Sequence, residues 1–254
     1  MNITILVLIL VALFFADVVI RYVLVFKALI PIKHRPVDRQ RSVTFNGVGR
    51  GSVHIALLGD SVLYGENSRY PLPAIQYVAQ NLAKQHKTVV IYNYAVTGNT
   101  IDQLIDSQLP KIQESDLIFI YVGANDYFRF TSPRKFLHSV DRLLKNLKGK
   151  TVIWCTLADP KYLYLLPIWQ RYIYRYYVVA YMNRVTDTLK RHPKENWHTI
   201  DFTYEPTRRL KTQKLNSHAL IADGFHLNGA GHELWARIVE EAYVKLKQQG
   251  ARLP

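Results

Sequence analysis

Two hydrophobic rhythms divide the chain. From Ile3 to Ile20 every position is apolar except Thr4 and Asp17, a run about as long as one helix needs to cross a bilayer core. After residue 52 the apolar positions come in short bursts. Val53–Leu58, Thr88–Tyr94, Asp116–Val122, Thr151–Leu157 and Trp197–Phe202 have the length and composition of buried strands. Between and after them, 71–86 (with Ile75, Val78, Ala79 and Leu82), Ile101–Ile112, Pro133–Leu147, Ile168–Arg191 and Gly229–Gln248 carry apolar residues at helical spacing. Strand and helix alternate five times. That predicts a mainly parallel sheet covered by helices on both faces, with ligands bound beyond the carboxyl ends of the strands.

The N-terminal run reads as an uncleaved membrane anchor. No Lys or Arg precedes it and no small-x-small site closes it, so a cleaved signal peptide fits less well. A buried core helix is the other alternative, but nearly every face of the segment is apolar. Asp17 and Arg21 stand four apart, where a helix brings side chains together. Residues 31–52 hold Pro31, Pro36, Gly47, Gly49 and Gly51 among Lys and Arg and read as a linker. The expected organisation is an anchor helix at 1–30, a basic linker at 31–52 and a folded domain at 53–254. Arg21, Lys27, Lys33, Arg35, Arg39 and Arg41 face a single Asp38 in this flank. The positive-inside rule then places the domain in the cytoplasm, with the extracytoplasmic side as the alternative.

Charge and cysteine content narrow the classes. Lys plus Arg is 33 and Asp plus Glu 19, so 33 − 19 gives a net charge of +14. The basic residues are spread along the chain and no zinc finger or RNA-binding signature accompanies them, which favours a membrane-facing surface over nucleic acid. A single Cys excludes an intrachain disulfide and a Cys-based zinc site. With no phosphate loop and no His-Glu-x-x-His, neither cofactor nor metal is expected. His54, His218 and His232 read as structural or exposed, and Cys155 as an inert buried thiol.

Four polar blocks fall at predicted strand ends: Gly59-Asp60-Ser61, Thr97-Gly98-Asn99, Gly123-Ala124-Asn125-Asp126 and Asp223-Gly224-Phe225-His226. A serine hydroxyl is a weak nucleophile that needs a base, and the base needs a partner to hold its tautomer. Ser61, His226 and Asp223 are suited to those three roles. The Ser61 and Gly98 backbone N–H groups and the Asn125 amide are suited to stabilising an oxyanion. Each block also has a plain structural reading: Ser61 as a helix cap, Asn125 and Asp126 as turn formers, Asp223 and His226 as a surface pair. The joint occurrence, in order and at strand ends, favours the catalytic reading.

These blocks resemble the SGNH hydrolases, also called GDSL esterases and lipases. Gly59-Asp60-Ser61-Val62 departs from the family's Gly-Asp-Ser-Leu only at Val62. Asn93 to Gly98 is similar to its Asn…Gly segment, Gly123 to Asp126 matches in full, and Asp223 to Asn228 resembles its Asp-x-x-His segment. The resemblance runs from about Val53 to about Gln248. It implies a three-layer α/β/α sandwich on a five-stranded parallel sheet, flavodoxin-like in its layering, and a catalytic set of Ser61, Gly98, Asn125, His226 and Asp223. Tyr and Trp are dense between Tyr162 and Tyr181, with Arg171 and Arg175 among them. They suit a packed aromatic stripe or a surface at lipid-headgroup depth. The expected activity is serine carboxylic-ester hydrolysis of lipid-derived acyl esters, as in a lysophospholipase. A carbohydrate O-acetyl esterase and a non-catalytic membrane or polyanion-binding module are the alternatives.

Overall fold

The computed structural model describes residues 3–34, 42–68, 74–112, 114–160, 163, 166–192, 195–212 and 220–254. The start of the helix expected from 71, Tyr162, Tyr164, His218 and the Arg35–Arg41 part of the linker lie outside the described residues, as does the Arg21 side chain.

Six strands form one sheet: β1 (Ser42–Asn46), β2 (Ser52–Gly59), β3 (Thr88–Asn93), β4 (Leu117–Tyr121), β5 (Val152–Cys155) and β6 (Trp197–Ile200). Their order is β1-β3-β2-β4-β5-β6. The five expected strands are present and parallel, with pairings such as Ile55↔Leu117 and Ile118↔Val152. The sixth, β1, is an addition to the expected five-stranded parallel sheet. It runs antiparallel along β3, Ser42 opposite Tyr92 and Asn46 opposite Thr88. It also moves the start of the folded domain forward from Val53 to Ser42, into the stretch expected to be linker. The reason is local: Val43 and Phe45 alternate with Ser42, Thr44 and Asn46, the period of a half-buried edge strand, and the two apolar residues pack on the core. Gly47 and Gly49, which read as linker, are forced by close packing. A Cβ on Gly47 would stand 1.9 Å from the Ala83 carbonyl oxygen.

The helices are α1 (Ile3–His34), α2 (Ser61–Tyr64), α3 (Gln76–Ala83), α4 (Ile101–Ser107), α5 (Ala124–Phe128), α6 (Pro133–Asn146), α7 (Ile168–Lys190), α8 (Glu205–Thr212) and α9 (Gly229–Gln248). The packing of α3 and α8 on α9 builds one layer, and the packing of α6 on α4 and α7 the other, as the α/β/α sandwich requires. The helix expected over 101–112 stops at Ser107 and gives way to a 3-10 turn at Leu109–Lys111. Pro110, which lacks an N–H, cannot continue the α ladder. All five β4 residues are buried, and Trp154, Phe119, Phe136 and Phe202 fill the space between sheet and helices. β2 is central, with β3 on one side and β4 on the other. The chain reverses its winding there, which opens a crevice at the carboxyl ends of β2 and β4.

Candidate active site

β2 ends at Gly59 because nothing larger fits. A Cβ there would stand 2.2 Å from the Tyr121 carbonyl oxygen on β4. The Gly59 N–H and carbonyl are both taken by the buried side chain of Gln108, at 2.9 and 2.8 Å. Asp60 follows as the cap of α2, its Oδ1 accepting from the Val62 N–H at 3.1 Å. The capping role considered for Ser61 therefore falls to its neighbour. Ser61 is the first helical residue, 7% exposed, and its hydroxyl makes no hydrogen bond among the described residues.

His226 and Asp223 stand on the turn that leads into α9. The Asp223 carboxylate closes that turn: Oδ1 accepts from the backbone N–H groups of Phe225 at 3.0 Å and His226 at 2.7 Å. Oδ2 accepts from His226 Nδ1 at 2.8 Å and from Asn67 Nδ2 at 3.3 Å. Burial raises the Asp223 pKa, but the His226 ring and the two backbone donors outweigh it and hold the carboxyl down at about 2. With Nδ1 committed, His226 Nε2 is the nitrogen left to face outward from the pair. Asn228 caps α9 by accepting from the Gly231 N–H at 3.0 Å.

Asn125 enters from β4, on the first turn of α5. Its Nδ2 donates to the Asn99 carbonyl at 3.2 Å and approaches Asp60 Oδ2 at 3.5 Å. Gly98 lies in the neighbouring loop with φ +82, a region that suits glycine. Its carbonyl accepts from Arg129 Nη2 at 2.8 Å, while Nη1 of the same guanidinium reaches Gln103 at 3.1 Å.

Ser61, Asn125 and His226, with Asp60, line one cavity of about 100 Å³. Asp223 stands behind His226, and Gly98 is outside the lining, one residue from the carbonyl that holds Asn125. The remaining wall is apolar, with Leu163, Tyr174, Leu210, Ile221, Leu234 and Trp235 among its residues, and Trp235 is stacked on Phe202 at 4.0 Å. Burial pushes the Asp60 carboxyl up to about 7, against the pull of the Val62 N–H and His226. It pushes Asp126 up to about 6, although the Ile101 N–H donates to it.

Three residues of this network escaped the sequence reading, Asn67, Gln108 and Arg129, and Asp60 stood in its block without a role. Asn67 adopts φ +59, an uncommon conformation that Asn tolerates better than most residues, and its partner is 156 positions away. Of the two histidines expected to be structural that can be seen, His232 is buried with Nε2 at 2.7 Å from the Glu66 carbonyl oxygen. His54 packs edge-on against Tyr92. Cys155 is buried, which drives its thiol pKa upward. Among the described residues no cluster of potential metal ligands occurs.

An α/β/α sandwich with a buried serine and a His–Asp pair at the carboxyl ends of its strands is the architecture of a hydrolase. The family profile of the GDSL-like Lipase/Acylhydrolase family matches residues 57–234, so the chain belongs to that family and is an ester hydrolase of the GDSL/SGNH type. Membership sets aside the non-catalytic binding module. The chain is 26% identical over 221 residues to YpmR, an uncharacterized protein of Bacillus subtilis (strain 168), covering 77% of this chain and 82% of that one. Among solved structures it is similar to a Clostridium thermocellum family 3 carbohydrate esterase (TM-score 0.56, 15% identity, 79% of this chain and 100% of that one). It is also similar to the acetyl xylan esterase AlAXEase (TM-score 0.55, 20% identity, 75% and 99%). At these identities the two structures bear on the fold.

Proposed function

We propose that the protein is a serine esterase acting on lipid-derived acyl esters through Ser61, His226 and Asp223. The observation that carries the reading is the convergence of Ser61, Asn125 and His226 on one apolar-walled cavity, with Asp223 bonded to the far nitrogen of His226. In the first step Ser61 Oγ attacks the ester carbonyl carbon and its proton passes to His226 Nε2. The oxyanion is met by the Ser61 and Gly98 N–H groups and by the Asn125 amide, whose 3.5 Å contact with Asp60 is the weaker one and the one an oxyanion would replace. His226 then protonates the departing alcohol. Water, deprotonated by His226, attacks the acyl-enzyme and releases the carboxylic acid and free Ser61. The apolar wall accepts an acyl chain, and α1 supplies the membrane link. Its Ile3–Ile20 window has mean hydropathy 3.1 and none of it is buried in the fold, as a single span requires. The basic flank of α1 favours the cytoplasmic side for the domain, with the extracytoplasmic side as the alternative.

The test is hydrolysis of a p-nitrophenyl ester series, acetyl to palmitoyl, by the full chain in detergent, beside Ser61→Ala and His226→Ala. The expected result is an optimum beyond butyryl and a loss of about 10⁴-fold or more in kcat for each variant. Activity surviving in Ser61→Ala overturns the assignment of the nucleophile. An optimum at acetyl, with the variants inactive, moves the substrate to O-acetyl groups, such as those on glycans.

A further inference from the structure

The helix α7 is apolar on two opposite sides. Tyr174, Val178, Tyr181, Met182, Val185 and Leu189 are buried against the fold. Ile168, Trp169, Tyr172, Ile173 and Tyr176 are exposed, Tyr176 to 80% and Ile168 to 69%. At about 100° per residue these five fall within one outward sector, opposite the buried stripe. The same sector turns polar further along, where Asn183, Arg184 and Asp187 are exposed. Only the N-terminal half of α7 thus presents a large apolar face to the outside, the kind of patch that marks an interaction site.

Two contacts say what covers it. Trp169 touches Phe14 of α1, with ring centroids 5.9 Å apart, so the face lies beside the segment apolar enough to span a bilayer. The cavity wall continues into the same element: Leu163 lies just ahead of α7 and Tyr174 is on its inner side. We propose that the outward face of α7 rests in the lipid bilayer and holds the mouth of the cavity at the membrane surface, where its acyl-ester substrate is dissolved. This surface deepens the esterase reading and rests on it for the identity of the substrate. The depth is consistent. Phe14 precedes Ile20 by 20 − 14 = 6 positions, or about 9 Å of helix, and interfacial helices sink about 5–10 Å. Tyr and Trp are the residues favoured at that depth, and a net charge of +14 favours an anionic surface.

The experiment uses the full chain in vesicles of phosphatidylcholine and phosphatidylglycerol. Tyr172→Cys, Tyr176→Cys and, on the polar part of the same sector, Asp187→Cys are each labelled with an environment-sensitive dye, native Cys155 being buried. A nitroxide-bearing lipid is the quencher. The dyes at 172 and 176 are expected to lose about half their emission or more while the dye at 187 is little affected, as for a helix sunk to interfacial depth. Equal, weak quenching at all three positions overturns the proposal. Shielded dyes at 172 and 176 that lipid nitroxide does not quench overturn it in favour of a second copy of the chain. A Tyr172→Ser/Tyr176→Ser variant is expected to hydrolyse a long-chain ester embedded in vesicles about tenfold more slowly, with hydrolysis of dissolved p-nitrophenyl acetate unchanged. A parallel fall in both activities assigns the residues to folding and overturns the docking role. Quenching is read without turnover, so failure of the esterase reading and failure of the docking surface are told apart.

Discussion

Single side chains around Ser61 divide into those that would meet the substrate and those that hold the first set still. Arg129 belongs to the second set. Its guanidinium grips the Gly98 carbonyl, and turning that peptide would redirect the loop that carries the proposed oxyanion donor. Arg129→Ala is expected to lower kcat about tenfold and leave KM nearly unchanged, because donors to the oxyanion act only in the transition state. Steady-state kinetics on a soluble ester, with Arg129→Lys as a partial rescue, checks it. Asp60 has a different signature. Its pKa is raised from 3.8 to about 7 in the fold, so between those values the folded protein binds more protons than the unfolded chain. Its contribution to stability therefore falls as pH rises from about 4 to about 7. Asp60→Asn keeps an acceptor for the Val62 N–H and removes the titration. Its melting temperature should fall less over that pH range than that of the wild type, as scanning calorimetry would show. Asp223, held at about 2, works in the opposite sense: its stabilisation is complete above 3.8 and is lost as pH falls towards 2.

Strands and helices of ordinary length announce themselves; the short elements carrying the site do not. The bounds of α9 were readable because twenty residues give the helical period room to repeat, and the buried strands because parallel strands are continuous apolar runs. By contrast α2 and α5 have four and five residues, little more than one turn, and no period can be read from one turn. β1 was hidden by the glycines after it. Ser61, Asn125, Asp223 and His226 were legible as candidates because their residue types and order suit one chemistry. Asp60, Asn67, Gln108 and Arg129 were not, since their roles lie in contacts made only on folding. Gln108 shows how much such a contact matters to an element. Its amide bonds both backbone groups of Gly59 at the end of β2, just ahead of Ser61. Gln108→Leu leaves the buried Gly59 N–H unpaired, its carbonyl still accepting from the Val96 N–H at 3.0 Å, and should cost about 1–3 kcal/mol, measurable by urea denaturation, with activity falling at denaturant levels the wild type tolerates.

On the scale of the whole molecule, the sandwich and the apolar helix are joined through the sheet itself, because the first described residues after α1 form an edge strand. A chain starting at Ser42 retains β1 and every described element of the sandwich. It should hydrolyse p-nitrophenyl acetate at close to the rate of the full chain, and should pass from the membrane pellet to the supernatant on fractionation. A chain starting at Val53 loses the five residues paired with β3 and exposes Val43's and Phe45's partners in the core. It should melt at a lower temperature than the Ser42 form, which differential scanning fluorimetry would detect.

The position of β1 has a kinetic consequence. From His34, the last residue of α1, to Ser42 the backbone can span no more than about 30 Å. With α1 in a bilayer, the cavity is confined to a thin layer above one leaflet and samples the plane of that leaflet instead of the bulk solution. Turnover should then follow the mole fraction of ester among the surrounding lipids. Diluting the ester with inert lipid at constant bulk concentration should slow the enzyme, while diluting the vesicles with buffer should leave the rate per enzyme unchanged.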